Sequence, residues 1–413
     1  QQASHRLPQF LPDGRHFLVF SLGNTDVSGI YLGSVESPDV ARLSPSTSSA
    51  SYLAGDWVAW QEESSIVARR LDVAAGRLTG DSYVVVERAN DPGPAYTPTI
   101  SGSFAGPAIY RSLATGDREV RWFDAAGRPL DAAIPPDDTL TGVRLSSDQK
   151  RWATFRTIQG NSDVWVFDGG RSTRLTLNPA REQFPVWFPD GLQIAFRSDR
   201  KGVFNLYAKA SGGLGGERVL LESSVDKSPM QFSPDGRYLA YIANDPKTGW
   251  DIWMLPTDGR PAFPVLATPF DERGGFISPD GRWLMYISNQ SGRLEVYVRR
   301  FVAQASVQAP ADTEQWQVST SGGLWPNWAP DGRSVLYQAL DGQIVRVPIN
   351  TTAAGVTVGA PVPVLRTQIY ASGDINIGRQ WDLASDGRLL LNTIRGESSS
   401  LVLIQNWQPP ATR

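Results

Sequence analysis

One short phrase recurs down the chain and limits the folds open to it. It reads Phe-Leu-Pro-Asp-Gly-Arg at 10–15, Phe-Pro-Asp-Gly at 188–191 and Phe-Ser-Pro-Asp-Gly-Arg at 232–237. It returns as Ile-Ser-Pro-Asp-Gly-Arg at 277–282, Ala-Pro-Asp-Gly-Arg at 329–333 and Ala-Ser-Asp-Gly-Arg at 384–388. Asp190, Asp235 and Asp280 stand 45 residues apart in turn. Each phrase is a turn: proline presets its own φ, aspartate bonds the backbone ahead, and glycine accepts positive φ. Short alternating segments flank every copy, so each period reads as a small antiparallel sheet. Sheets repeated at a period in the forties are the pattern of a propeller.

Residues 183–221 show the unit. They predict strands at 184–188, 193–198, 205–209 and 218–221, separated by polar or glycine-rich turns. Third strands place an aromatic two residues after a polar group, as in Asp163/Trp165, Asn205/Tyr207, Asp251/Trp253 and Glu295/Tyr297. The stretch between Asp13 and Asp148 keeps the period with worn turns: Gly-Asp at 55–56, a hairpin beginning at Thr99, and Leu-Ser-Ser-Asp-Gln at 145–149. This gives nine units, at 5–47, 48–90, 91–139, 140–178, 179–223, 224–268, 269–320, 321–368 and 369–408. The last offers strands at 381–384, 389–392 and 401–406, with its fourth expected from residues before Leu7. The expectation is an all-β chain forming a single β-propeller of about nine four-stranded blades. Eight is the alternative if two worn units share one blade.

Composition removes several functions. The 413 residues contain no cysteine and only two histidines, His5 and His16, so thiolate chemistry and multi-histidine metal centres are excluded. No metal site and no cofactor is expected. A net charge of −3 without a basic run argues against nucleic acid. No apolar run approaches the length of a membrane span, so no membrane contact is expected of this segment. The opening Gln-Gln-Ala-Ser-His-Arg does not read as a secretory signal, which places any targeting segment outside these residues. The serine-hydrolase elbow and the kinase glycine-rich, His-Arg-Asp and Asp-Phe-Gly motifs are missing, so no catalytic residue is assigned. The loop 244–251 has oxygen ligands but not the alternating acids of a calcium loop. Trp187, Trp253, Trp283 and Trp328 read as packing between blades.

The residues 5–17, the run 277–299 and the closing Leu-Ile-Gln-Asn-Trp at 403–407 resemble the WD-like repeats of TolB-type propellers. More narrowly, they resemble the propeller region of bacterial receptor-type serine/threonine protein kinases. That resemblance implies a sensor region facing away from the cytoplasm, with a kinase domain in the same polypeptide, and an extracytoplasmic (periplasmic or cell-surface) location. The rival readings are a TolB-like envelope interaction scaffold and a carboxylate-based lyase or glycosidase, since glycoside hydrolysis needs only two carboxylates.

The candidate site comes from the links entering each first strand. They carry His5 and Arg6, Arg181 and Glu182, Asp226 and Lys227, Asp271, Glu272 and Arg273, and Arg379. In one ring these positions converge at one mouth of the central channel. Mixed charge there suits a polar small molecule or peptide, with Arg273 and Arg181 as the carboxylate-gripping anchors.

Overall fold

The computed structural model describes residues 4–22, 27–46, 48–62, 65–87, 100–111, 118–158, 160–302, 314–370, 374–395, 401–405 and 407. Thr99 and Asn406, used in reading the repeats, lie outside them. All regular structure among the described residues is β, arranged as nine sheets. The specimen unit folds where its pattern places it, as strands Glu182–Trp187, Gln193–Ser198, Asn205–Ala210 and Arg218–Leu221 in sequential antiparallel order.

The chain divides into two compact units, Gln1–Gly116 with Gly396–Arg413, and Asp117–Arg395. The all-β propeller fold is as expected, and the nine sheets are divided between these two units. In Asp117–Arg395 six sheets follow one another, their first strands being Leu140–Leu145, Glu182–Trp187, Lys227–Phe232, Glu272–Ile277, Leu324–Trp328 and Trp381–Leu383. Each first strand packs against the next sheet in turn. The sixth sheet then joins both ends of the unit: Trp381–Leu383 and Leu389–Ile394 are completed by Arg118–Phe123 and Pro129–Ala132. Arg118 pairs with Ile394 and the register runs unbroken to Phe123 opposite Leu389. One flank of this sheet shares a core with Leu140, Val143, Trp152 and Phe167, the other with Ala329, Leu336, Ile344 and Leu365. The six sheets therefore close on themselves as a propeller.

The other unit holds three sheets: 4–44, 50–86, and a three-stranded sheet in which Leu401–Ile404 pairs with Ala108–Arg111 and the latter with Ile100–Gly102. Two expected units, 91–139 and 369–408, are thus each split between sheets. The fourth strand expected from residues before Leu7 is not part of either sheet, because Ser4–Phe10 pairs with His16–Leu22. Every unit has the same local grammar, so pairing between segments some 270 residues apart leaves no mark in the periodic pattern.

The recurrent turns are built as the phrase demands. Gly281 N–H donates to Ser278 O at 2.9 Å and takes φ 74°, while Asp280 accepts from Ser278 Oγ at 2.6 Å, Arg282 N at 3.1 Å and Arg282 Nε at 2.8 Å. In the worn copy Gln149 takes the glycine's place, with φ 59°. The aspartates spend their acceptors on their own turns. Trp187, Trp283 and Trp328 are buried, and two of the indoles bridge sheets: Trp187 Nε1 donates to Arg144 O at 2.9 Å and Trp328 Nε1 to Phe276 O at 3.1 Å. Trp253 is half-buried beside Tyr241.

Two measurements check this construction. Asp280→Ala removes one turn's donors' partner and is expected to cost about 1 kcal/mol in urea unfolding, leaving any ligand affinity unchanged. Leu390→Ala empties a fully buried position of the closing sheet. Its expected cost is about 2–5 kcal/mol, several times that of the turn variant.

Candidate functional site

Five of the six first strands of the six-sheet unit contain a bulge: the pairing register shifts between Thr141 and Arg144, Gln183 and Val186, Pro229 and Gln231, Gly274 and Phe276, and Leu324 and Asn327, while Trp381–Leu383 pairs regularly. Positive φ at Gly142, Phe184, Gly274, Gly275 and Trp325 marks the kinks. A bulge re-aims the side chain that follows it, so Arg144, Val186, Gln231, Phe276 and Asn327 are the equivalent residues of successive strands.

The segment 374–380, leading into Trp381–Leu383, runs across these strands. Val143 N–H donates to Arg379 O at 3.3 Å, and Gly142 N–H to Gln380 Oε1 at 2.9 Å. The Gly378 α-carbon lies so close to the Phe184 ring that a Cβ there would stand 2.4 Å from it. The Arg379 guanidinium sits 5.6 Å from the Phe276 ring centroid, and Arg273 Nη1 donates to Asn376 Oδ1 at 2.9 Å. One segment that touches the second and the fourth sheets, which are not neighbours, lies at the axis of the ring. Strap and strands meet at Asp382, which accepts from Arg379 Nη2, Asn327 Nδ2 and Leu383 N, each at 2.9 Å, and from Leu145 N at 2.8 Å.

The structure sorts the ten expected site residues into four groups. His5 and Arg6 belong to the three-sheet unit, on Ser4–Phe10, and are not among the strand entrances of the six-sheet unit. Glu182, Lys227 and Glu272 occupy one repeat position 45 residues apart, but at 0–2% exposure they present nothing to a ligand. Each is used by the fold. Glu182 is gripped by Arg200, which also pairs with Glu217 at 2.6 Å. Lys227 Nζ donates to Asn205 Oδ1 at 2.9 Å and Val225 O at 2.6 Å, while Glu272 accepts from the Thr268 hydroxyl and backbone N–H. Burial pushes the Glu182 carboxyl up to about 7, pushes Glu272 up as well, and lowers Lys227. Arg379 is also buried, at the axis rather than the mouth.

What remains at the strand entrances is Arg181, Asp226, Asp271 and Arg273. Arg181 is exposed and pairs with Asp199 at 2.8 Å, over the Phe204 ring at 4.9 Å. Asp226 Oδ1 accepts the Phe204 N–H at 2.8 Å, and Arg197 stacks on the same ring at 4.0 Å. Asp271 pairs loosely with Arg273 at 3.6 Å, and Arg273 lies 5.0 Å from the Trp250 ring. Arg273 is 8% exposed, and burial lowers its pKa while Asp271 opposes the shift. Among the described residues no group of three or more His, Cys, Asp or Glu could hold a metal ion, and no helix is long and apolar enough to cross a membrane.

Sequence reasoning missed Arg144. It sits inside a strand of the worn repeat, and its only signal was a charge where equivalent strands carry Val186 or Phe276.

This closed ring of antiparallel sheets is a β-propeller, and its fold is similar to that of TolB-type propellers. The model of the TolB beta propeller domain matches residues 139–320. A protein assigned as TolB from Agrobacterium tumefaciens is similar at 17% identity and TM-score 0.50, over 68% of this chain and 99% of its own. TolB from Acinetobacter baumannii is 14% identical with TM-score 0.42, over 83% of this chain and 79% of its own. The tricorn protease is 10% identical with TM-score 0.39, over 85% of this chain and 39% of its own.

The buried carboxylate gives a pH test. A pKa raised from 4.5 to about 7 means the folded state holds its proton more tightly than the unfolded chain does. Glu182 therefore adds stability as pH falls through about 7 and withdraws it as pH rises. Glu182→Gln, neutral throughout, is expected to narrow the gap between urea midpoints at about pH 5.5 and about pH 8. An unchanged gap would assign the pH response to other groups.

Proposed function

We propose that the chain is a non-catalytic binding propeller, the extracytoplasmic sensor region of a bacterial serine/threonine protein kinase. It takes a polar small molecule or a peptide segment at the strand-entrance end of the six-sheet unit. The observation that carries the binding role is the arrangement of charge at that end. Arg181 and Asp271, at equivalent entrances of two strands, keep 46% and 36% of their side chains exposed, and each has one ionic partner close by. Exposed charges with aromatic neighbours, Phe204 and Trp250, retain donors and acceptors for a visiting group. The kinase setting and the location rest on the resemblance of 5–17, 277–299 and 403–407.

A TolB-like interaction scaffold is the second reading, favoured by the domain match over 139–320. The lyase or glycosidase reading loses support from the carboxylates themselves. Glu182 has the raised pKa of a general acid, yet it is fully buried and held by Arg200.

A thermal-shift screen on the full chain, repeated on Arg181→Glu, tests the site. A ligand of the mouth is expected to lose more than about 1 kcal/mol of affinity, the order of a charge-assisted hydrogen bond, with the melting temperature of the free protein nearly unmoved. A hit that binds the variant as tightly as the parent places binding elsewhere. Autophosphorylation of the complete polypeptide, with and without the hit, separates sensor from scaffold.

A further inference from the structure

Two guanidinium groups and one carboxylate meet at the axis of the six-sheet unit. Asp382 is already engaged: Oδ1 accepts from Arg379, Asn327 and the Leu383 N–H, and Oδ2 from the Leu145 N–H. Arg379, 8% exposed, spends Nη2 on Asp382, and its Nε has no hydrogen-bond partner. Arg144 has less. Among the described residues its one side-chain hydrogen bond is a 3.5 Å contact from Nη1 to the carbonyl of Val143. The Arg144 backbone carbonyl accepts from the Trp187 indole and its side chain is re-aimed by the bulge, and among the described residues its guanidinium forms no ion pair with an acid. Solvent nevertheless reaches it, since Arg144, Gln231 and Asn327 are only half-buried although all three stand on innermost strands.

A charge so enclosed without a counter-ion is costly. We propose that the axis binds a singly charged oxyanion, the carboxylate of a small molecule, between Arg144 and Arg379. One negative charge neutralises the surplus of this trio, and the planar guanidinium fork matches a carboxylate's two oxygens. The amides of Gln231 and Asn327, equivalent to Arg144 on their strands, supply polar contacts for the rest of the molecule. Burial and the neighbouring Arg379 push the Arg144 pKa well down while Asp382 opposes the shift, and the charge of a bound anion would add to Asp382 in favouring the charged guanidinium. This site is independent of the entrance residues Arg181 and Asp271.

The test uses the full chain and simple anions. Melting temperature is followed against sodium acetate and sodium formate, with chloride holding ionic strength constant and phosphate as a separate arm. Acetate or formate is expected to raise it by about 2–3 °C once its concentration passes a few times the dissociation constant, and then to keep raising it logarithmically. Arg144→Gln is expected to abolish this rise, and Arg181→Glu to retain it. Equal responses in parent and Arg144→Gln, or a rise with phosphate and not with carboxylates, overturn the proposal. Should Arg144→Gln fail to fold, line broadening of carbon-13 acetate by the parent, reversed by excess formate, reads the same site. No broadening refutes it.

Discussion

The antiparallel pairing of Arg118–Phe123 with Leu389–Ile394 is the contact on which the six-sheet unit depends. It joins residues far apart in sequence, but loop-closure entropy grows only logarithmically, by about 0.6 kcal/mol per doubling of length. Against that modest cost it covers two strand edges that would otherwise template aggregation, and it builds the wall shared by the first and fifth sheets through Leu390 and Leu391. The same pairing positions the segment 374–380. Trp381–Leu383 is the innermost strand of the closing sheet, so the chain must enter it from the axis. The strap, Arg379 and Asp382 are therefore consequences of how the ring closes.

The bulges give the axis its chemistry. A regular strand would alternate its side chains strictly between the two sheet faces. The extra residue in five of the six first strands breaks that alternation once. Non-glycine residues at positive φ are strained, yet Phe184 and Trp325 adopt it, each followed by a proline that has no N–H to leave unpaired. That strain is tolerated because neighbours fix the geometry: Phe184 packs edge-on against Phe155 and under the Arg197 guanidinium, and the Trp328 indole ties its strand to Phe276.

Turns and strands were legible because their causes are local. Asp280 and Gly281 act within six residues, and the alternation at 193–198 is that of one hairpin. Sheet membership was not legible. Residues 118–123 look like the third strand of their own repeat and become the third strand of another. Of the candidate site, the sequence showed which residues stand at the strand entrances but not which way they face: Glu182, Lys227 and Glu272 are buried. A signal was available: one repeat position holds Leu140, Glu182, Lys227 and Glu272 in successive units, so no charge of either sign is required there. A ligand would select a sign. A buried position served by local partners, Arg200 for Glu182 and Asn205 for Lys227, does not.

Asp382 shows why a buried charge is kept at the axis. Desolvation makes a buried ion pair weak evidence for stability, and Arg379 with Asp382 is no exception. The carboxylate, however, takes hydrogen bonds from three sheets: its own, the one bearing Leu145 and the one bearing Asn327. An apolar replacement would strand the Leu145 N–H and the Asn327 amide without partners, at a cost of about 1–3 kcal/mol each. An alternative alignment of those sheets would do the same. The group thus penalises every closure of the ring but one, and the surplus cation beside it is the electrostatic remainder of that arrangement.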